Sequence, residues 1–216
     1  MRKKETILAD LKGAGVVAVA RVDDASALIE VARALAKGGI RNFEITMTVP
    51  KALQVIEKAT DALGDEVVFG AGTVLDAETA RSAILAGAGF VVSPALRPAM
   101  IEMCRRYGVA AMAGAMTPNE VLNAWEAGSD IVKIFPAGIG GPGFIKELKG
   151  PFPFIDVLVT GMVDRVTAPQ YIKAGVCAVG LGSALMGKEL IEARQFDTIT
   201  RNAEEFIEIV KKARGK

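Results

Sequence analysis

The feature that most constrains the fold is a junction that recurs along the chain, where a helical stretch ends in a small-residue turn and a short apolar strand follows at once. It appears as Ala36-Lys-Gly-Gly-Ile-Arg-Asn-Phe-Glu-Ile, Leu85-Ala-Gly-Ala-Gly-Phe-Val-Val-Ser, Glu126-Ala-Gly-Ser-Asp-Ile-Val-Lys-Ile and Lys173-Ala-Gly-Val-Cys-Ala-Val-Gly. A glycine just past a helix can take the left-handed conformation that caps the last carbonyls, and the β-branched run after it suits a strand covered on both faces. Strands alternating with helices imply parallel strands joined by right-handed crossovers.

Filling in between the junctions predicts strands at 16–20, 42–46, 67–71, 89–93, 109–113, 131–135, 155–160 and 177–181. Helices are predicted at 24–37, 51–63, 76–86, 97–107, 117–128, 142–148, 164–174 and 194–213, after a short amphipathic N-terminal helix. Pro50, Asp76 and Thr117-Pro118 act as start signals, at N-cap or first-turn positions. So many units in 216 residues leave two architectures, a closed barrel or a doubly wound open sheet. No GxGxxG turn follows the first strand, where Val19-Ala-Arg-Val-Asp-Asp stands, and the strand count favours the barrel. The expectation is an α/β fold, a (β/α)8 TIM barrel, with residues 1–216 forming one domain.

Composition narrows the function. Charged residues make up 24% of the chain and interrupt every apolar run, so no transmembrane helix is expected despite 51% hydrophobic content. The N-terminal stretch lacks the apolar core and cleavage site of a signal peptide, which points to the cytoplasm. A net charge of +1 with both signs interspersed leaves no basic stripe for nucleic acid, so the expected partner is a small molecule. The chain has no histidine, so any general acid or base is a carboxylate, lysine, tyrosine, cysteine or bound water. Cys104 and Cys177 stand in apolar contexts without CxxC spacing, and two buried thiols are expected rather than a disulfide or a metal site.

In such a barrel the active site lies at the C-terminal ends of the strands. By strand alternation Ile131, Lys133 and Phe135 share one face, and so do Asn42, Glu44 and Thr46. If Val132 and Ile134 face the helices, Lys133 points into the barrel. A poorly solvated amine there favours its neutral form and becomes a nucleophile towards a ketone. Glu44, placed beside it, can move protons. The plainer alternative for both is a buried ion pair that serves structure alone, and the two roles are compatible. Arg21 ends the first strand on the face of Val17 and Val19, where its fork can hold a substrate carboxylate; an exposed loop arginine is an equal alternative. Thr73 closes the small-residue run Gly70-Ala-Gly-Thr, which is read as a turn that lets a ligand approach the backbone, and its hydroxyl is expected to hold the substrate carboxylate together with Arg21. At the last two strands, Thr160-Gly161-Met162 and Gly182-Ser183 stand where barrels often bind phosphate, with Ser183 starting a short helix. An ordinary tight turn is the alternative there.

These residues resemble the 2-keto-3-deoxy-6-phosphogluconate / 4-hydroxy-2-oxoglutarate (KDPG/KHG) aldolase family. The likeness runs from about Val16 to Met186, through Phe43-Glu-Ile-Thr-Met-Thr-Val-Pro, Gly70-Ala-Gly-Thr-Val, Val92-Ser-Pro, Gly114-Ala-Met-Thr-Pro, Val132-Lys-Ile-Phe-Pro-Ala, Lys149-Gly-Pro-Phe-Pro, Thr160-Gly and Val179-Gly-Leu-Gly-Ser-Ala-Leu. The resemblance implies a homotrimer of TIM barrels and a metal-free, cofactor-free cleavage to pyruvate and an aldehyde. It also implies a Schiff-base lysine at Lys133, an acid/base glutamate at Glu44, and pocket positions at Phe135 and Pro94. Some members carry the carboxylate-binding arginine four residues after the glutamate, where this chain has Thr48, and others at the end of strand one, as Arg21 stands. The chain departs from the family pattern at Val159, where proline is usual, and at Met162, where glycine is usual. A side chain at 162 can narrow the phosphate pocket. The resemblance implies cleavage of 2-keto-3-deoxy-6-phosphogluconate to pyruvate and glyceraldehyde 3-phosphate; cleavage of unphosphorylated 4-hydroxy-2-oxoglutarate or of a related 2-keto-3-deoxy sugar acid is the rival activity, and a phosphate-binding barrel isomerase is a more distant one.

Overall fold

The computed structural model describes residues 2–22 and 25–215. After α1 (Lys4–Ala14) the chain alternates strictly: β1 (Val16–Ala20), α2 (Leu28–Lys37), β2 (Asn42–Thr46), α3 (Ala52–Leu63), β3 (Val68–Gly72), α4 (Ala77–Leu85), β4 (Phe90–Val92) and α5 (Pro98–Tyr107). It continues with β5 (Ala110–Ala115), α6 (Pro118–Glu126), β6 (Ile131–Ile134), α7 (Gly141–Lys149), β7 (Val157–Thr160), α8 (Thr167–Lys173), β8 (Ala178–Leu181), α9 (Ser183–Met186), α10 (Lys188–Glu192) and α11 (Phe196–Ala213). The strands pair in parallel in chain order, and β8 pairs with β1 to close the barrel.

All four glycine junctions behave as their residues demand. Gly39, Gly87, Gly128 and Gly175 have φ of 92°, 101°, 94° and 102°. In each, the next residue (Ile40, Ala88, Ser129 or Val176) donates its N–H to a carbonyl five residues back, so the helix ends satisfied and the strand begins immediately. A fifth junction of this kind, at Gly108 after Tyr107, lacks the Ala-Gly signature and is invisible in the pattern.

Helix starts follow chemistry in two cases and depart from it in two. Asp76 accepts from the Thr79 N–H, and Thr117 with Glu120 forms a reciprocal capping box ahead of Pro118. Pro50 is neither cap nor first turn, because Lys51 occupies the N-cap with φ 55°. The helix expected from 164 begins at Thr167, since Asp164 Oδ1 accepts from the Val166 and Thr167 N–H groups and holds those residues in a turn. The expected start of α2 at position 24 lies outside the described residues; the helix is regular from Leu28.

Alternation divides the apolar residues into two cores. Ala18, Phe43, Ile45, Val132, Ile134 and Val179 face outward against the helices. Val17, Val68, Phe90, Ile131, Leu158 and Ala178 fill the lumen, closed from below by Ile7 and Leu11 of α1. Burying each of those two side chains contributes about 2 kcal/mol. Lys4 pairs with Asp130 at 2.8 Å and Lys12 with Asp156 at 3.0 Å, fixing α1 across the lower mouth. Cys104 is fully buried, and burial pushes its thiol up to about 12; Cys177 is only half-buried and precedes β8. Among the described residues no helix is long and apolar enough to cross a membrane.

Candidate active site

β2 and β6 lie on opposite sides of the closed barrel, so inward side chains from them meet across the lumen. Lys133 and Glu44 do so: Nζ stands 3.9 Å from Oε1, with side-chain exposures of 7% and 1%. At that distance the contact is an ion pair without a hydrogen bond, and both Glu44 oxygens lack a hydrogen-bond partner. The Lys133 ammonium also lies 5.3 Å from the centroid of the Phe135 ring.

Glycines around this pair leave space that neighbouring groups fill. Lys133 is in register with Gly114 of β5, where a Cβ would come within 2.1 Å of the Pro94 carbonyl carbon. On β3, a Cβ at Gly72 would sit 1.9 Å from Glu44 Oε1, and one at Gly70 would sit 2.1 Å from the Phe90 ring. The expectation that Gly70 and Gly72 form a turn open to a ligand is therefore corrected. Both belong to β3, and the space they leave is filled by Phe90 and the Glu44 carboxylate.

A cavity of about 260 Å³ opens above the pair, lined by Arg21, Glu44, Lys133, Phe135, Thr160, Gly161, Met162, Gly182 and Ser183, with Val19, Val163 and Gly180. Nine of the residues picked from the sequence thus converge on one space. Thr73 is not in the lining; its hydroxyl accepts a long bond, 3.4 Å, from Arg21 Nη2, and its φ is 58°. Pro94 is not in the lining either and reaches the site only by packing over Gly114. Thr48, at the family's alternative arginine position, shares a 2.8 Å hydroxyl bond with Thr46, which donates to the Ala20 carbonyl. That ties the ends of β1 and β2 together.

Val19, Val163 and Gly180 line the cavity without having been singled out; strand alternation alone places Val19 and Gly180 inward. Asn42, one inward position below Glu44, is 1% exposed with neither side-chain polar atom bonded. Thr160 is buried with its hydroxyl unpartnered. Met162 is 84% exposed at φ 58°, and its side chain covers Gly138, where a Cβ would approach Sδ to 2.9 Å. Ser183 starts α9 as its position implied.

Fold and site together define a class: an α/β-barrel enzyme whose upper mouth holds a buried amine beside a carboxylate, beneath a cavity with an arginine at its edge. The model of the KDPG and KHG aldolase family matches residues 7–202, and the chain belongs to that family. It is 35% identical over 197 residues to a 2-dehydro-3-deoxy-phosphogluconate aldolase of Treponema pallidum, covering 90% of this chain and 91% of that one. It is 36% identical over 153 residues to a 2-dehydro-3-deoxy-6-phosphogalactonate aldolase of Escherichia coli, covering 70% and 75%. The crystal structure of KDPG aldolase from Legionella pneumophila, with pyruvate captured as a covalent carbinolamine, superposes with a TM-score of 0.85 at 26% identity, covering 91% and 95%.

Proposed function

We propose that this chain reversibly cleaves 2-keto-3-deoxy-6-phosphogluconate to pyruvate and glyceraldehyde 3-phosphate through a Schiff base on Lys133. The observation that carries the reading is the buried Lys133–Glu44 pair, 3.9 Å apart beneath the cavity. Glu44 takes a proton from the Lys133 ammonium, the freed Nζ adds to C2 of the keto acid, and Glu44 returns that proton to the departing hydroxyl so that water leaves and an iminium forms. The iminium accepts the electron pair of the C3–C4 bond as that bond breaks, while Glu44 takes the proton from the C4 hydroxyl and the aldehyde departs. Protonation of the enamine at C3 and addition of water to the iminium release pyruvate and the free amine. Arg21 holds the carboxylate by its fork, with Thr73 fixing that arginine. Thr160, Gly161, Met162, Gly182 and Ser183 take the phosphate.

Borohydride reduction in the presence of pyruvate tests the assignment: a reduced pyruvyl adduct is expected on Lys133 by peptide mass, and an adduct elsewhere overturns it. A second reading, cleavage of 4-hydroxy-2-oxoglutarate to pyruvate and glyoxylate, is favoured by two observations. Arg21 and Lys133 are the only cationic side chains among the described residues lining the cavity, and Met162 stands in that lining. A kcat/KM for the phosphorylated substrate no higher than for the unphosphorylated one selects this second reading. The resemblance further implies a homotrimer, which we place in the cytoplasm; light scattering for mass and cell fractionation test these two points.

A further inference from the structure

We propose that Arg165 and Asn202 form a clamp that sets the spacing of the two loops at the far end of the substrate, making Arg165 a positioning residue for substrate selection. The inference rests on the Schiff-base reading above, with the distal group held between the loops after β7 and β8. One guanidinium joins those loops to the last helix. Arg165 Nη1 donates to the Ala184 carbonyl at 3.3 Å, Nη2 to Asn202 Oδ1 at 2.7 Å, and Nε to Glu205 Oε2 at 2.7 Å. Asn202 Nδ2 in turn donates to the Leu185 carbonyl at 3.0 Å. The guanidinium carbon stands 5.2 Å from the centroid of the buried Phe206 ring. α11 is thus the anchor to which both Met162's loop and Ser183's loop are referred.

The loop after β7 is held from its other side as well, where Met162 covers Gly138. Between these two grips Asp164 Oδ1 accepts from the Val166 N–H at 2.9 Å and from the Thr167 N–H and hydroxyl at 2.8 Å each. An exposed arginine–carboxylate pair contributes little to stability, and stability is not what distinguishes this cluster. A planar fork engaged at three nitrogens and stacked on a ring admits one arrangement, which a lysine cannot reproduce. Neither Arg165 nor Asn202 lines the cavity, so chemistry at C2 and placement of the far end are separable.

Pyruvate alone uses Lys133 and Glu44 but has no far end, so exchange of its methyl protons in heavy water reports the imine chemistry by itself. Wild type, Arg165→Met, Arg165→Lys and Asn202→Ala are compared for pyruvate exchange and for KM and kcat with the phosphorylated keto acid. All three variants are expected to exchange pyruvate within about twofold of wild type. KM for the phosphorylated substrate is expected to rise on the order of tenfold in Arg165→Met and Asn202→Ala, and by less in Arg165→Lys, because a misplaced binding group weakens substrate contacts. An unchanged KM in Arg165→Met overturns the proposal. So does a parallel fall of exchange and cleavage, which general loosening of the barrel would produce. Wild-type protein that exchanges no pyruvate protons overturns the Schiff-base reading, and this inference with it.

Discussion

The two ends of the barrel are made from the same strands by the same alternation, yet their chemistry is opposite. At the lower end Val17, Val68, Ile131 and Ala178 turn apolar side chains into a lumen closed by Ile7 and Leu11. The nearby charges there, Lys4 with Asp130 and Lys12 with Asp156, are paired at hydrogen-bonding distance. One inward step further along β6 stands Lys133, facing a Glu44 with no hydrogen-bonded oxygen, and Thr160 with an unpartnered hydroxyl tops β7. A buried polar atom without a partner costs about 1–3 kcal/mol, so the upper end runs against stability, whereas in the lower layer that cost falls on Asn42 and the rest of the lumen there is apolar. Reactivity and stability are separated along the barrel axis by a single turn of the strand repeat.

The largest effect is expected from breaking the upper end. Lys133→Met should lower kcat at least about 10⁴-fold and abolish the trapped pyruvate adduct. It should also destabilise the fold by about 3 kcal/mol in urea unfolding, because it leaves Glu44 buried without its partner. The double variant Lys133→Met/Glu44→Gln should regain that stability; a double variant no more stable than the single one would show that the unpaired Glu44 charge is not what costs the single variant its stability. Leu11→Ala attacks the lower end instead. A loss of about 3 kcal/mol with unchanged kcat per folded molecule is expected, and a kcat that falls in step would break the separation of the two ends.

Gly72→Ala sharpens the comparison from within β3. Its Cβ would lie 1.9 Å from Glu44 Oε1, so kcat/KM should fall about 100-fold while the melting temperature moves little. The smallest effect belongs to the loops. Glu120 accepts from the Met116 and Thr117 N–H groups, and those bonds hold its carboxyl below the ordinary range. Since the folded form binds the proton less tightly than the unfolded chain, this stabilisation is present above the usual glutamate value of about 4.3. It is lost as pH falls through the lowered folded value. Glu120→Gln should therefore flatten melting temperature against pH in that acidic window, with a difference of a few tenths to about 1 kcal/mol above it. Identical pH curves would remove the carboxylate from the cap.

Much of this was legible in the residues because the rules involved are local. The Ala-Gly junctions announce a left-handed cap and a strand, and a two-residue period groups Glu44 with Asn42 and Thr46 and Lys133 with Ile131 and Phe135 without any knowledge of the partner strands. Local signals also failed locally: Pro50 was misread because proline marks turns as readily as helix starts, and Asp164 delays α8 by satisfying its own loop. Glu44, Lys133 and Thr160 were found in strands and the other site residues just past strand ends, but the Arg165 clamp was not found, because nothing in Asp164-Arg-Val-Thr indicates that α11 lies within reach.

What the sequence by itself determined is therefore the succession of elements, which strand residues share a face, and a lysine and a glutamate that no aqueous surface would claim. The tertiary structure alone decided the rest: that β8 closes on β1, that Glu44 and Lys133 meet across the lumen, and that Phe90 and Glu44 fill the space of Gly70 and Gly72. The division has one physical reason. Alternation and capping depend on neighbours in the chain, whereas closure, the ion pair and the glycine gaps depend on atoms that only the packed barrel brings together.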